Sequence, residues 1–419
     1  MQNDIAPPGP APKEDAPESV VQPTEVGSEA DTKDLDASIV LDDQKPAATD
    51  KKPRFAKLHH FRHHIWSSWS RRRKILVASG AALALIAIIV GVVFAFSGTA
   101  SAPKQIAKKV AAKPTTVPSP LSGVQVAPAL AARPVTAVMI ENSDFARPQS
   151  GLQDAGVVYE AIAEAGITRF MALFQDTSPQ YIGPVRSLRP YYIDFAAPFQ
   201  ASIVHVGGSP DALSEVSGGG FRNLDQFANG SYFTRITARD APHNVYTSFT
   251  QLDQLNQSKG YTSSKFTPWP RKADKKLAAP TAKTIDFAIS SSDYYAHYDY
   301  DPATNSYARS EGGAPHLDLV SASDTTGVQL KPKVVIALVV PLGQGELDAS
   351  GAYYSNYTTS GSGQMYVFQD GSVMQGTWTK QDTNSQFQFT DTAGHALALN
   401  AGQTWVSLVS APSQVTYAP

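Results

Sequence analysis

The 419-residue sequence contains no cysteine. That absence excludes disulfides, a thiolate nucleophile, cysteine-ligated metal and a lipid attached at a lipobox cysteine. It leaves an extracytoplasmic location open, because a chain of this length closes a hydrophobic core without staples. Charge is also scarce, at 17% of residues with a net of -2, and it is unevenly spread. Residues 1–50 carry mostly Asp and Glu among Pro, Ala and Ser, and have almost no aromatic or β-branched clusters to bury. They read as a disordered acidic tail. Four further motifs are missing. The glycines form neither a Walker loop nor a dinucleotide fingerprint, and the serines and histidines show no nucleophile elbow or triad spacing. No cofactor and no metal are expected.

Residues 51–74 reverse the sign with Lys51, Lys52, Arg54, Lys57, Arg62 and the block Arg71-Arg72-Arg73-Lys74, interleaved with His59, His60, His63 and His64. From Ile75 to Phe96 the chain reads ILVASGAALALIAIIVGVVFAF, about 22 residues without a charge, enough to cross a bilayer as a helix. The run lies too far from the amino terminus for a cleaved signal peptide. A basic flank on the N-terminal side places residues 1–74 in the cytoplasm and the remainder outside. The basic segment therefore serves topology and contact with anionic lipid, and nucleic acid is not expected as a partner. Residues 97–132, rich in Ala, Pro, Lys, Ser and Thr, read as a tether; at ~3.1 Å per residue it spans on the order of 100 Å.

The folded part begins near Arg133. Strands are expected at 135–140, 157–164 and 167–175, the last two forming a hairpin about Gly166. Arg189-Pro190 opens a short helix, a strand follows at 201–206, and Ser209-Pro210-Asp211 starts another helix. A further helix covers 248–258. Beyond 283 the pattern is all β, with 334–340 central, a hairpin about Asp370-Gly371, and strands at 386–390, 396–399 and 404–409 completing a meander. The expected organisation is an α/β (or α+β) domain over 133–282 and a smaller β-rich domain over 283–419.

Between 133 and 212 the ionisable residues sit inside apolar runs: VMIEN, VVYEAIAE, ITRFMALF, IVHVGGSP. A charge so placed must be paired, solvated in a cleft, or neutralised. Alternation puts Val158, Glu160, Ile162 and Glu164 on one face, making the two carboxylates neighbours. The candidate ligand pocket comprises Glu141, Asn142, Arg147, Glu160, Glu164, Arg169, Arg186, Arg189, His205, Gly207, Gly208, Ser209 and His243. Three roles fit these residue types. They can form an Arg–carboxylate network that fixes the fold. They can form a pocket for an anionic or sugar-containing ligand, with Arg186, Arg189 and the helix end at Ser209 meeting the anion and Tyr191 and Tyr192 offering stacking surface. Or paired carboxylates with a histidine can do acid–base work on a glycan or amide. Elsewhere, His316-Leu317-Asp318 and the trio Asp299, Asp301, Asn305 read as polar contacts and a hairpin turn rather than metal sites.

The segments RPVTAVMIEN, ARPQSGLQDAGVVYEAIAEAGITRFMALF, IGPVRSLRPYYID, VHVGGSP and APHNVYTS resemble the YerB-like lipoproteins, a bacterial family of undefined function. The later segments GGAPHLD, MYVFQDGSVMQGTW and LNAGQTWVSLV resemble that family's second domain. The resemblance covers roughly 125–419. It implies a cell-envelope protein with an α/β first domain and a β-rich second one, and it supplies no catalytic set. Lacking cysteine, this chain departs from the family's lipid anchor, and the apolar helix takes that place. The expected function is that of a single-pass, N-in membrane protein whose extracytoplasmic part binds peptidoglycan, an anionic envelope polymer or an envelope protein without catalysis. A wall-active hydrolase using clustered Glu and His is the alternative.

Overall fold

The computed structural model describes residues 70–97, 115–347, 351 and 353–419. The acidic tail, the basic segment as far as 69 with its four histidines, and 98–114 of the expected tether lie outside the described residues. The chain divides into two compact units, 1–106 and 107–419.

In the first unit a single helix is described, α1 (Arg71–Ser97), which contains the whole uncharged run. Its described apolar side chains, among them Leu76, Leu83, Leu85 and Ile88, are exposed. Among the described residues no helix is long and apolar enough to cross a membrane. The helix expected at 75–96 is therefore present, but the crossing is not given by the described residues.

The second unit starts earlier than its composition suggests. Within the stretch expected as tether, Val117–Pro118 pairs antiparallel with Gln125–Val126, and Pro128–Ala131 forms a helical turn with proline at its start. Leu121 anchors this segment: it is buried, and Arg271 donates to its carbonyl. Ser122 donates to Asp176.

The remaining α-helices and strands of four residues or more, in chain order, are β1 (Thr136–Glu141), β2 (Val157–Glu164), β3 (Ile167–Phe174), α2 (Pro190–Ala196), β4 (Ser202–His205), α3 (Pro210–Gly218), β5 (Arg222–Asp225), α4 (Phe249–Ser258), β6 (Thr284–Phe287), β7 (Ala296–Asp301), β8 (Ser306–Glu311), β9 (Val334–Val339), β10 (Leu342–Leu347), β11 (Tyr353–Tyr357), β12 (Gly361–Gln369), β13 (Ser372–Lys380), β14 (Gln388–Asp391), β15 (Thr404–Val409) and β16 (Val415–Ala418). The unit is mostly β, with few and short helices. One sheet dominates, in the order β14-β13-β12-β9-β15-β2-β3-β1-β4-β5, with the hairpin β10–β11 bridged to β2 at Tyr354 and Glu164.

The last strand of the sequence pattern is not the end of a meander. β15 runs parallel to both β9 and β2 and lies between them. All six of its residues are buried, as befits a central strand covered on both faces, where the pattern is a continuous apolar run rather than alternation. Through β15 the sheet passes unbroken from the 283–419 segment into the 133–282 segment. The strand expected at 396–399 reduces to Leu399–Asn400, paired in parallel with Arg271–Lys272.

Two layers cover the central strands. On one face lies α2, whose Phe195 stacks on Tyr159 at 4.8 Å, with α3 beside it. On the other lie α4, where Phe249 meets Phe174, and an antiparallel sheet in which Ala314–Pro315 is followed by β8, β7, β6 and β16. Which face a side chain takes therefore decides what surrounds it.

Candidate functional site

The charged residues divide between these two faces, and the register of β1, β2 and β3 assigns them. Ala161 and Glu141 are both cross-strand partners of Arg169, whereas Glu160 and Ile140 are partners of Phe170. Glu141 and Arg169 therefore face α2, while Glu160 faces the antiparallel sheet. Asn142, one residue on from Glu141, faces the antiparallel sheet with Glu160. Strict alternation would keep Glu164 with Glu160, and here the sequence expectation fails. Ala165 and Gly166 both adopt positive φ, at 49° and 81°, as a two-residue hairpin turn demands. That turn pairs Glu164 with Ile167, whereas the register through Ile162 and Thr168 would pair Ala163 there. The extra residue is a bulge, and it sends Glu164 to the face of Arg169, away from Glu160.

On the antiparallel-sheet side the network is closed. Glu160 is wholly buried; one oxygen accepts from Arg309 at 2.7 Å, the other from Trp405 at 2.9 Å and Ser407 at 2.8 Å. Arg309 is equally buried, with its guanidinium carbon 4.6 Å from the centre of the Trp405 ring. Burial opposes its charge, but Glu160 and Glu311 outweigh burial and raise its pKa. Burial pushes the Glu311 carboxyl up although Arg309 pulls the other way. Burial, with Arg309 and Arg147 behind it, holds His316 far below the usual histidine range. The neutral ring accepts from Arg309 at Nδ1, so Nε2 carries the proton and donates to Gln149 at 3.0 Å. Asn142 uses every site of its amide: it donates to Thr168 and Glu311 and accepts from Arg147 and Gln149. Arg147 reaches solvent at one edge and lies over Tyr294. Asp318 turns away from His316 to accept the backbone N–H groups of Gly151, Leu152 and Gln153 at 3.0–3.3 Å. Asp299, Asp301 and Asn305 likewise go to separate partners, namely His297, the turn at Thr304, and Asp370.

The α2 side holds two smaller groups. Arg169 and Arg189, both buried, converge on the two oxygens of Glu164, Arg189 at 2.8 Å. Burial works against the charge of Glu164, and the two guanidiniums prevail, holding its carboxyl below the usual range. The other group is more open. Glu141 Oε1 accepts from Ser143 at 2.9 Å and meets His243 Nδ1 at 2.8 Å. Arg186 Nε lies 3.3 Å from the same oxygen, within ion-pair distance but without hydrogen-bond geometry. Glu141 Oε2 is buried and forms no hydrogen bond among the described residues. Arg186 and His243 keep about a fifth of their side-chain surface, 22% and 20%. Burial weighs most on Arg186; Glu141 opposes it, but repulsion from Arg169 and Arg189 leaves its pKa below the usual arginine range. Beside His243 opens a shallow cleft of about 250 Å³, lined by Phe145, Thr237, Ala238, Arg239, Asp240 and His243.

The remaining candidates cluster about the end of β4. His205 is fully buried, with Nδ1 2.8 Å from the Gly207 carbonyl and Nε2 2.9 Å from Asn223 Oδ1. Gly207 adopts a φ of 58° and donates to Asp225, while a Cβ on Gly208 would press on the Leu188 carbonyl at 3.0 Å. Ser209 precedes α3 as expected but makes no side-chain cap, and the acidic group in that first turn is the chain's own Asp211, which accepts from Tyr354. Tyr191 and Tyr192 are core residues, their hydroxyls donating to the carbonyls of Ile162 and Arg169; they offer no stacking surface. The sequence reading missed Arg309 and Glu311, and took His316 as a polar contact, which it is. The available signal was inward parity on β8, where Tyr307, Arg309 and Glu311 alternate with Ala308 and Ser310.

Residues 121–262 match the family profile described as the N-terminal domain of a protein of unknown function, DUF3048, and residues 285–406 match its C-terminal domain. The chain is 31% identical over 297 residues to the "Putative lipoprotein YerB" of Bacillus subtilis (strain 168), covering 70% of this chain and 86% of that protein. The crystal structure of YerB from Bacillus subtilis superposes with a TM-score of 0.62 at 26% identity, covering 72% of this chain and all of that one.

Proposed function

This chain belongs to the DUF3048 family of proteins of unknown function, and we propose that it is a membrane-anchored cell-envelope protein that binds a wall component through Arg186 without transforming it. The observation that carries this reading is the setting of Arg186 on the α2 side. Among the described residues, Arg169 and Arg189 bind the two oxygens of Glu164, while Arg186 lies 3.3 Å from Glu141. Arg186 is the most exposed of the three guanidiniums, and its Nε makes no hydrogen bond among the described residues. An anion there gains a partly desolvated guanidinium partner. Glu160 and Glu164, the carboxylates offered for acid–base work, lie on opposite faces and are each occupied by arginine, which counts against the hydrolase.

The relative's name suggests a lipid anchor, but this chain has no cysteine to carry one. The uncharged run within α1 takes that role in this proposal, with its exposed leucines and isoleucines in lipid and the basic flank inside. Two experiments test the reading. Immobilised full chain in detergent should retain peptidoglycan fragments, and Arg186→Met should release them. Retention of an envelope protein instead would make the unit a scaffold, and soluble new fragments would make it a hydrolase. Protease added to intact cells should remove the 115–419 unit and spare the first 74 residues; loss of the acidic tail would overturn the topology.

A further inference from the structure

Two of the most exposed apolar side chains of the second unit are phenylalanines, Phe145 at 76% and Phe227 at 72%. Both stand at the C-terminal ends of the parallel strands β1, β4 and β5, where open sheets place their ligands. A continuous row of contacts joins them. Phe145 packs on His243 with ring centres 5.4 Å apart, and His243 meets Glu141, which lies against Arg186. The Arg186 carbonyl accepts from Val206, and Phe227 lies against the next residue, Gly207, 3.2 Å from where a Cβ would stand. Arg239 fixes the Phe145 loop from outside by donating to the carbonyls of Phe145 and Pro148.

This row places a partly exposed guanidinium, whose Nε makes no hydrogen bond among the described residues, beside a carboxylate oxygen that accepts none there, with a phenyl ring at each end. We propose that the site binds the free C-terminal residue of a peptide: its α-carboxylate pairs with Arg186, its backbone N–H donates to Glu141 Oε2, and its side chain lies between Phe145 and Phe227. Arg186 turns outward to the carboxylate, and this uncovers Glu141 Oε2 for the amide. A peptide terminus supplies a donor one carbon from its carboxylate, which a phosphodiester does not. The proposal rests on the anion-binding reading of Arg186.

Titration calorimetry on the full chain in detergent tests it with three probes: acetyl-alanyl-alanine, the same dipeptide with an amidated C-terminus, and dimethyl phosphate. The free acid should bind saturably, with the amide and dimethyl phosphate each weaker by about tenfold or more. Arg186→Met and Glu141→Gln should each weaken the free acid by a similar factor, while Phe227→Ala should weaken it without removing the preference for the acid over the amide. Unchanged melting temperatures of these variants, within a few degrees, show that the fold has survived. Equal binding of acid and amide, or tighter binding of dimethyl phosphate, overturns the peptide-terminus assignment; the latter leaves the anion site standing. Binding of none of the three, with peptidoglycan fragments still retained through Arg186, also overturns the assignment alone. If those fragments are lost as well, the reading on which it rests fails too.

Discussion

Replacing Arg309 with methionine should lower the folding free energy by about 3–5 kcal/mol, the usual result of removing one member of a buried ion pair. Arg309 meets Glu160, with both side chains fully buried, and approaches Glu311, which is nearly so. Without the guanidinium, Glu160 keeps the donors of Trp405 and Ser407 but loses its counter-ion, and Glu311 keeps chiefly Asn142 and a distant Arg147. Methionine fills much of the volume and keeps contact with the rings of Trp405, Phe170 and Tyr298, so the loss is electrostatic rather than a cavity. Adding Glu160→Gln and Glu311→Gln to Arg309→Met should recover much of the loss, because the penalty lies in the uncompensated carboxylates. Denaturant unfolding at neutral pH measures both. A loss under about 1 kcal/mol would mean that water reaches the pair, and the closed network would not be closed. Because Glu160 comes from the first sequence segment and Arg309 from the second, the same variant should unfold both segments in one transition.

That network was only half legible in the sequence. Glu160, Asn142 and Arg147 stand out as polar residues in or beside apolar runs, and their need for partners follows from burial alone. Their partners do not follow, because Arg309 lies 149 residues away and reaches Glu160 only once β8 packs across β2 and β15. Local signals fared better. The helix starts at Arg189-Pro190 and Ser248, and the hairpin about Asp370-Gly371, follow from backbone preference, and Ser248 does accept from the Gln251 N–H. β15 shows where such signals stop. TWVSLV reads as a buried strand, yet nothing in those six residues says that it inserts in parallel between β9 and β2.

The split of Glu160 from Glu164 is the most instructive case, because period-two alternation is a sound rule that a single turn overrode. Ala165-Gly166 closes the hairpin in two residues, and the bulge that absorbs the mismatch moves Glu164 to the α2 face. There its charge is needed, which leads to the second large effect. Glu164→Gln keeps the shape and removes the carboxylate charge that Arg169 and Arg189 share. We expect a loss of about 3 kcal/mol at neutral pH, the low end for a broken buried pair, since Glu164 retains 16% of its side-chain surface. The pH dependence separates charge from shape. The folded-state pKa of Glu164 lies below its ordinary value. Its contribution is therefore complete above the unfolded-state pKa, about 4.3, and is lost as pH falls through the lower folded-state value. The stability gap between wild type and Glu164→Gln should accordingly stay constant from neutral pH to about pH 5 and shrink below about pH 4, as measured by denaturant unfolding across that range. A gap that persists in acid would assign the loss to packing or to the amide's hydrogen bonds. A gap that closes identifies the carboxylate charge as what holds Arg169 and Arg189 in place.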